Sequence, residues 1–206
     1  CFPLFVDNLQ AQTDYRMAGP YEVVARDGQY RHSKGGSERD MRAALECAQE
    51  GHEEKALEII NAYANTLQRL DGHDAPLCAI QCYDLVRAMT LMKAHRTKQW
   101  DGMVRRALLP MMEKFEADSP YANGNWGAIV NRCRMACAIF LDDKVLCQAA
   151  VDYYLHANDN GSLPKYISES GQCQETGRDQ GHTQLGLAAL AETCEMAWQQ
   201  GIDLYG

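Results

Sequence analysis

Apolar residues return every three or four positions through most of the chain, and no stretch of useful length alternates apolar with polar. Ala56, Ile60, Tyr63, Leu67 and Leu70 form one stripe; Cys78, Cys82, Leu85, Met89 and Met92 form another. Such spacing puts side chains on one face of an α-helix, whereas strict alternation would put them on one face of a strand. The chain is therefore read as all-α. Gly72, Pro76 and the run NDNGSLP at 158–164 punctuate the pattern as turns. Consecutive helices joined by short turns pack as antiparallel hairpins. An ordinary bundle and an α/α toroid, with hairpins arranged round a ring, both satisfy this pattern. No repeat consensus is visible.

The helix boundaries follow from local signals. Residues 1–36 read as an irregular N-terminal segment, and 37–206 as the helical domain. Ser37-Glu38-Arg39-Asp40 resembles a capping box and predicts a helix from there to about Gly51. The next runs to Gly72, and a third opens at Pro76, which suits a first turn. A fourth spans about 100–118, with Pro110 kinking or splitting it. The remaining helices are predicted from Asn123 to about Leu141, from Lys144 to Ala157, and from about Asp179 to Gln200.

Composition removes several classes of function. At 46% hydrophobic over 206 residues, a substantial core can be buried. No run of 18 apolar residues occurs, so no membrane span is expected. A net charge of −8 with no basic run argues against nucleic acid, which is held largely by Lys and Arg on phosphates. A local cluster of Arg, His and Asn can still bind an anionic small substrate. The nine cysteines include the i,i+4 pairs Cys78/Cys82 and Cys133/Cys137, which read as small buried hydrophobes. No CxxC occurs and no Cys/His spacing suits zinc, so no metal is expected. The chain does not start with Met, and CFPLFV is too short for the apolar core of a signal peptide. Both ends read as cut, which suggests a piece of a larger domain.

Three constellations carry chemistry. The richest is GQCQETGRDQGHTQLGL, 171–187, which gathers Gln172, Gln174, Glu175, Arg178, Asp179 and His182 before an apolar helix. Arg178 and His182 stand four apart and share a helix face, with Glu175 or Asp179 available to orient either. The second is Asn123-Gly124-Asn125-Trp126-Gly127. An Asn here caps a helix, or its amide binds a carboxylate while Trp126 offers a sugar a flat apolar face. The third is Lys165-Tyr166 after the turn, either loop residues or a cation and phenol in a cleft. The histidines at 32, 52, 73, 95 and 156 read as surface residues.

The stretches NGNWGAIV, DDKVLCQAAVDYYLHANDNGSLPKYI and GQCQETGRDQGHTQLGLAALAETCEMAWQQGIDLYG together resemble the alginate lyase superfamily of α/α-toroid polysaccharide lyases. The closest likeness is to the branch found in gut Bacteroides-type bacteria. The resemblance covers most of 37–206 and is most specific over 158–206. It implies an incomplete toroid, β-elimination on a uronate polymer such as alginate, polymannuronate or glucuronan, and no cofactor. It implies that Asn125 neutralises the uronate carboxylate and that Arg178 stands near the family's arginine. Trp126 occupies the family's His position, and His182 falls near its catalytic Tyr. His182 then becomes the base, with Tyr166 assisting or replacing it. Trp126, Lys165, Gln172, Glu175 and Asp179 are the expected substrate contacts. A polymer is met outside the cytoplasm, so a periplasmic or secreted location is expected. A glycoside hydrolase using Glu175 or Asp179, and a non-catalytic sugar-binding module, remain open beside this reading.

Overall fold

The computed structural model describes residues 14–25, 31–72, 74–118 and 124–205, without the side chains of 31, 32, 34 and 116–118. Alternate helices form two layers. In the inner row α1 (Arg31–Glu50) packs on α3 (Ala79–Leu91), α3 on α6 (Gly124–Leu141), and α6 on α9 (Gln180–Gln199). The outer layer holds α2 (Glu53–Thr66) against α1, α4 (Lys98–Met103) against α2, and α5 (Leu109–Asp118) and α7 (Lys144–His156) against α6. A single turn, α8 (Leu163–Tyr166), precedes the last helix.

Side-chain pairings show that the inner helices run parallel. Tyr83 lies under Arg132, and ten residues further along the chain from each, just past the ends of α3 and α6, Lys93 reaches Asp142. The ring of Tyr166 abuts Gly124 and Gly186, while Arg132 binds Glu192 lower on the same two helices. Parallel neighbours connected through an outer layer make this all-α fold an arc of an α/α toroid. The core lies between the layers. Nearly all of α6 is buried, as a helix packed on several sides requires. α3 keeps one accessible stripe, Ile80, Asp84, Arg87 and Leu91, on the side away from the outer helices.

Two boundaries differ from expectation. The first helix starts at Arg31, not Ser37. The apparent capping box lies inside it and serves tertiary contacts: Ser37 accepts from Gln81 Nε2 at 2.9 Å, and Asp40 is fully buried. Asp40 accepts hydrogen bonds from the Tyr15 and Tyr63 hydroxyls and the Ala18 and Gly19 amides, all at 2.7–2.8 Å. These bonds clasp residues 14–25 to the helices. Within that segment β1 (Val23–Ala25) pairs in parallel with β2 (Arg69–Asp71), Val24 opposite Leu70. The second helix therefore stops at Thr66 rather than Gly72, and Leu67 and Leu70 are buried from extended backbone. Arg106 donates to the Ala64 and Leu67 carbonyls freed at that end, at 2.6 and 2.9 Å. Finally, Pro110 does split its helix. A π-helical turn, Val104–Leu108, separates α4 from α5, because proline lacks the N–H that a regular ladder needs. Asn123 lies outside the described residues, and α6 opens at Gly124. Cys47, Cys78, Cys82, Cys133, Cys137 and Cys194 are buried and unbridged, the small-hydrophobe role expected of such residues.

Candidate active site at the N-terminal ends of α6 and α9

α9 starts at a residue with two roles. Asp179 is extended and caps the helix: its Oδ1 accepts from the His182 backbone N–H at 2.8 Å. Its other oxygen, Oδ2, meets His182 Nδ1 at 2.5 Å. A carboxylate at Nδ1 favours the tautomer with the proton there, which leaves Nε2 as the free acceptor. The His182 side chain is 39% exposed, so Nε2 is accessible. The Asp179 carboxyl is held below its usual range, first by the His182 backbone N–H and then by the ring. Helix capping thus fixes a His–Asp pair with one nitrogen facing outward.

The preceding turn supplies a cation. Arg178 Nη1 reaches Glu175 Oε2 at 3.3 Å, and Glu175 is buried while the Arg178 side chain is half-exposed. Thr183 Oγ1 ties the start of the helix back to the carbonyls of Asp179 and Glu175, at 3.0 and 3.4 Å. The loop before it is folded on itself. Ile167 and Cys173 form an antiparallel bridge, and Gln174 binds Tyr166 O through its backbone and Lys165 O through its side chain.

Tyr166 occupies a different place from the one its candidate catalytic role requires. It is fully buried, with its ring against Gly124 at the start of α6 and Gly186 in α9. A Cβ on Gly124 would lie 2.9 Å from the ring, and one on Gly186 would overlap the hydroxyl. Burial pushes the phenol pKa up, and the hydroxyl has no hydrogen-bond partner among the described residues. Tyr166 is the wedge that joins the loop to both helix ends.

Asn125 follows Gly124 and sits at this same end. It is 1% exposed, and its Oδ1 has no partner among the described residues. An unmet buried amide corner is costly in a finished core. Amide O and N exchange by a flip, so this corner can accept or donate. Trp126 is half-buried against the core. Lys165 and Gln172 are exposed, and their backbone carbonyls hold Gln174 and Ser168. The structure thus groups Glu175, Arg178, Asp179 and His182 directly and links them to Asn125 through Tyr166. Sequence reasoning missed Gly124 and Gly186 as the two seats of Tyr166; a glycine inside each apolar helix was their only signal. Among the other histidines, His52 and His95 are surface residues lying 3.7 Å from Glu50 and Glu53. The His32 side chain and His73 lie outside the described residues.

One end of the helical toroid arc thus carries a His–Asp pair, an arginine and a buried amide. The family model for alginate lyase matches residues 10–206, nearly the whole chain, and the chain belongs to that family. Membership supports a polysaccharide lyase in general. No curated protein and no solved structure matches the chain.

Proposed function

We propose that this protein cleaves a uronate-containing polysaccharide, alginate, polymannuronate or glucuronan, by β-elimination. His182 Nε2 takes the C5 proton. The electron pair left at C5 forms the C4–C5 double bond as the C4–O bond breaks, and the departing glycosidic oxygen takes a proton from the His182 imidazolium or from water. Arg178 and Asn125 bind the uronate carboxylate and stabilise the charge that builds on it in the transition state. Asp179 holds the ring and favours its protonated form. Tyr166 positions the two helix ends and does not touch substrate. Trp126 and Lys165 border the sugar, and Glu175 keeps Arg178 in place. Such a polymer is met in the periplasm or outside the cell, where the protein would act.

The observation that carries this reading is the Asp179–His182 pairing with Nε2 open. It also weighs against hydrolysis by Glu175 or Asp179. Both Asp179 oxygens are engaged by His182, and Glu175 is buried beside Arg178. A glycosidase needs two carboxyl groups flanking one bond.

The test is ultraviolet absorbance of the new double bond on each of the three polymers. Wild type should raise it on one, and His182→Ala and Asn125→Ala should each lose about 10²-fold or more in rate. New reducing ends without absorbance would replace elimination with hydrolysis. Full activity in His182→Ala would remove His182 from the mechanism.

A further inference from the structure

The inner row carries a second polar depression, away from His182. A cavity of about 370 Å³ opens between α1 and α3, lined by Glu38, Arg39, Arg42, Ile80, Gln81 and Asp84. Arg42 is exposed and makes no ion pair within 4 Å among the described residues. Asp84 is half-buried and accepts no hydrogen bond among them; burial pushes its carboxyl pKa up, against the pull of Arg42, Arg132 and Arg87. Arg132 faces it from α6, with its side chain 8% exposed and its Nε unpartnered among the described residues. Arg132 and Arg87 both stack on the Tyr83 ring, at 4.1 and 5.5 Å, and Glu192 of α9 closes the row on Arg132 at 2.6 Å.

Glu46 of α1 interacts with both Arg42 and Asp84, so four arginines and four carboxylates line this stretch from four helices. A bare anion would meet Asp84 and Glu38 as well as the guanidiniums. A uronic acid residue suits both sets: its carboxylate pairs with Arg42 and Arg39, and its hydroxyls donate to Asp84. Ile80 gives an apolar patch for the ring. The depth is set by the parallel register. Arg132 lies seven residues past Asn125, and α1 and α3 lie to one side of α6, so the cavity is on the order of 15 Å from the Asn125 end. A polymer chain can span that distance, whereas a disaccharide held at His182 cannot.

We propose that the α1–α3 groove is a distal uronosyl-binding site, through which Arg42 makes the protein favour long uronate chains over short ones. This rests on the lyase reading for the choice of sugar, and its test is independent of turnover. Calorimetric titration in a His182→Ala background would use dimers and hexamers of β-1,4-linked glucuronate and mannuronate, with cellohexaose as the neutral control. Arg42→Ala should weaken binding of one uronate hexamer about tenfold or more and leave the dimer unchanged. Asp84→Asn should weaken the same hexamer severalfold. Unchanged hexamer affinity in Arg42→Ala, equal losses for dimer and hexamer, or equal binding of cellohexaose would each overturn the site. If wild type forms no double bond yet the hexamer loss appears, the groove stands and the lyase reading falls.

Discussion

The two ends of the inner helices are both rich in polar groups and treat them in opposite ways. At the C-terminal end the charges close on one another. Arg96 grips Asp101 through two bonds of 2.7 and 3.0 Å, reaches Asp142 at 2.8 Å and stacks on Phe140 at 4.8 Å. Lys93 completes the group on Asp142 at 2.7 Å. At the N-terminal end Asn125 Oδ1 and the Tyr166 hydroxyl are buried without partners among the described residues, and His182 presents a free nitrogen. One end fastens the row. The other holds unmet hydrogen-bonding capacity, which is costly in a core and useful where a ligand completes it.

The largest way to break this contrast is Asp179→Asn. Asn caps a helix about as well as Asp, so melting should hardly change. Its amide NH₂ cannot accept from His182 Nδ1, so the elimination rate should fall about 10²-fold or more. Equal loss of stability and rate would mean that the residue is merely a cap. Gly186→Ala comes next. The added methyl meets Tyr166, and urea unfolding should show a loss of about 1–3 kcal/mol from overpacking. An unchanged midpoint would show that the wedge is loose.

At the fastened end, Asp142→Asn should cost at most about 1 kcal/mol, because exposed ion pairs contribute little, and should leave activity intact. Asp142 adopts a left-handed backbone (φ 56°) that Asn tolerates, so the substitution isolates the charge. Lys93, then Arg96, hold its carboxyl pKa below the usual value of 3.8. Its contribution is therefore complete above the ordinary carboxylate range and disappears as pH falls through the lowered pKa. The variant and wild type should converge in strong acid; a gap that persists there would assign the effect to something other than charge. The smallest effect belongs to Tyr166→Phe. Removing an unpartnered buried hydroxyl should be neutral or slightly stabilising, with the rate kept within severalfold. A 10²-fold loss would return the phenol to the chemistry.

The helices and the His182 end of this contrast were legible in the sequence, whereas the Arg96–Asp142 closure, between residues 46 apart, was not. The helical periods located the inner and outer helices because each buries a continuous apolar face. Asp179 and His182 could be placed because capping and i,i+3 contacts are local. Ser37 to Asp40 misled because their partners, Gln81, Tyr15 and Tyr63, are distant in sequence, and a buried Ser and Asp in a helix look like a cap. Leu67 and Leu70 kept helical spacing although the backbone had become extended, since parallel pairing with Val23–Ala25 is a long-range event. Tyr166 read as a site residue for its chemistry. Its burial depends on two glycines in other helices, which no local pattern connects to it.

The most direct test is mass balance on the products of one defined oligouronate, read by mass spectrometry. Elimination divides the substrate mass between two fragments with nothing added, one of them unsaturated. The account predicts that outcome with wild type and its loss in His182→Ala while melting is retained. Fragments that together exceed the substrate by one water would mean hydrolysis and would contradict it.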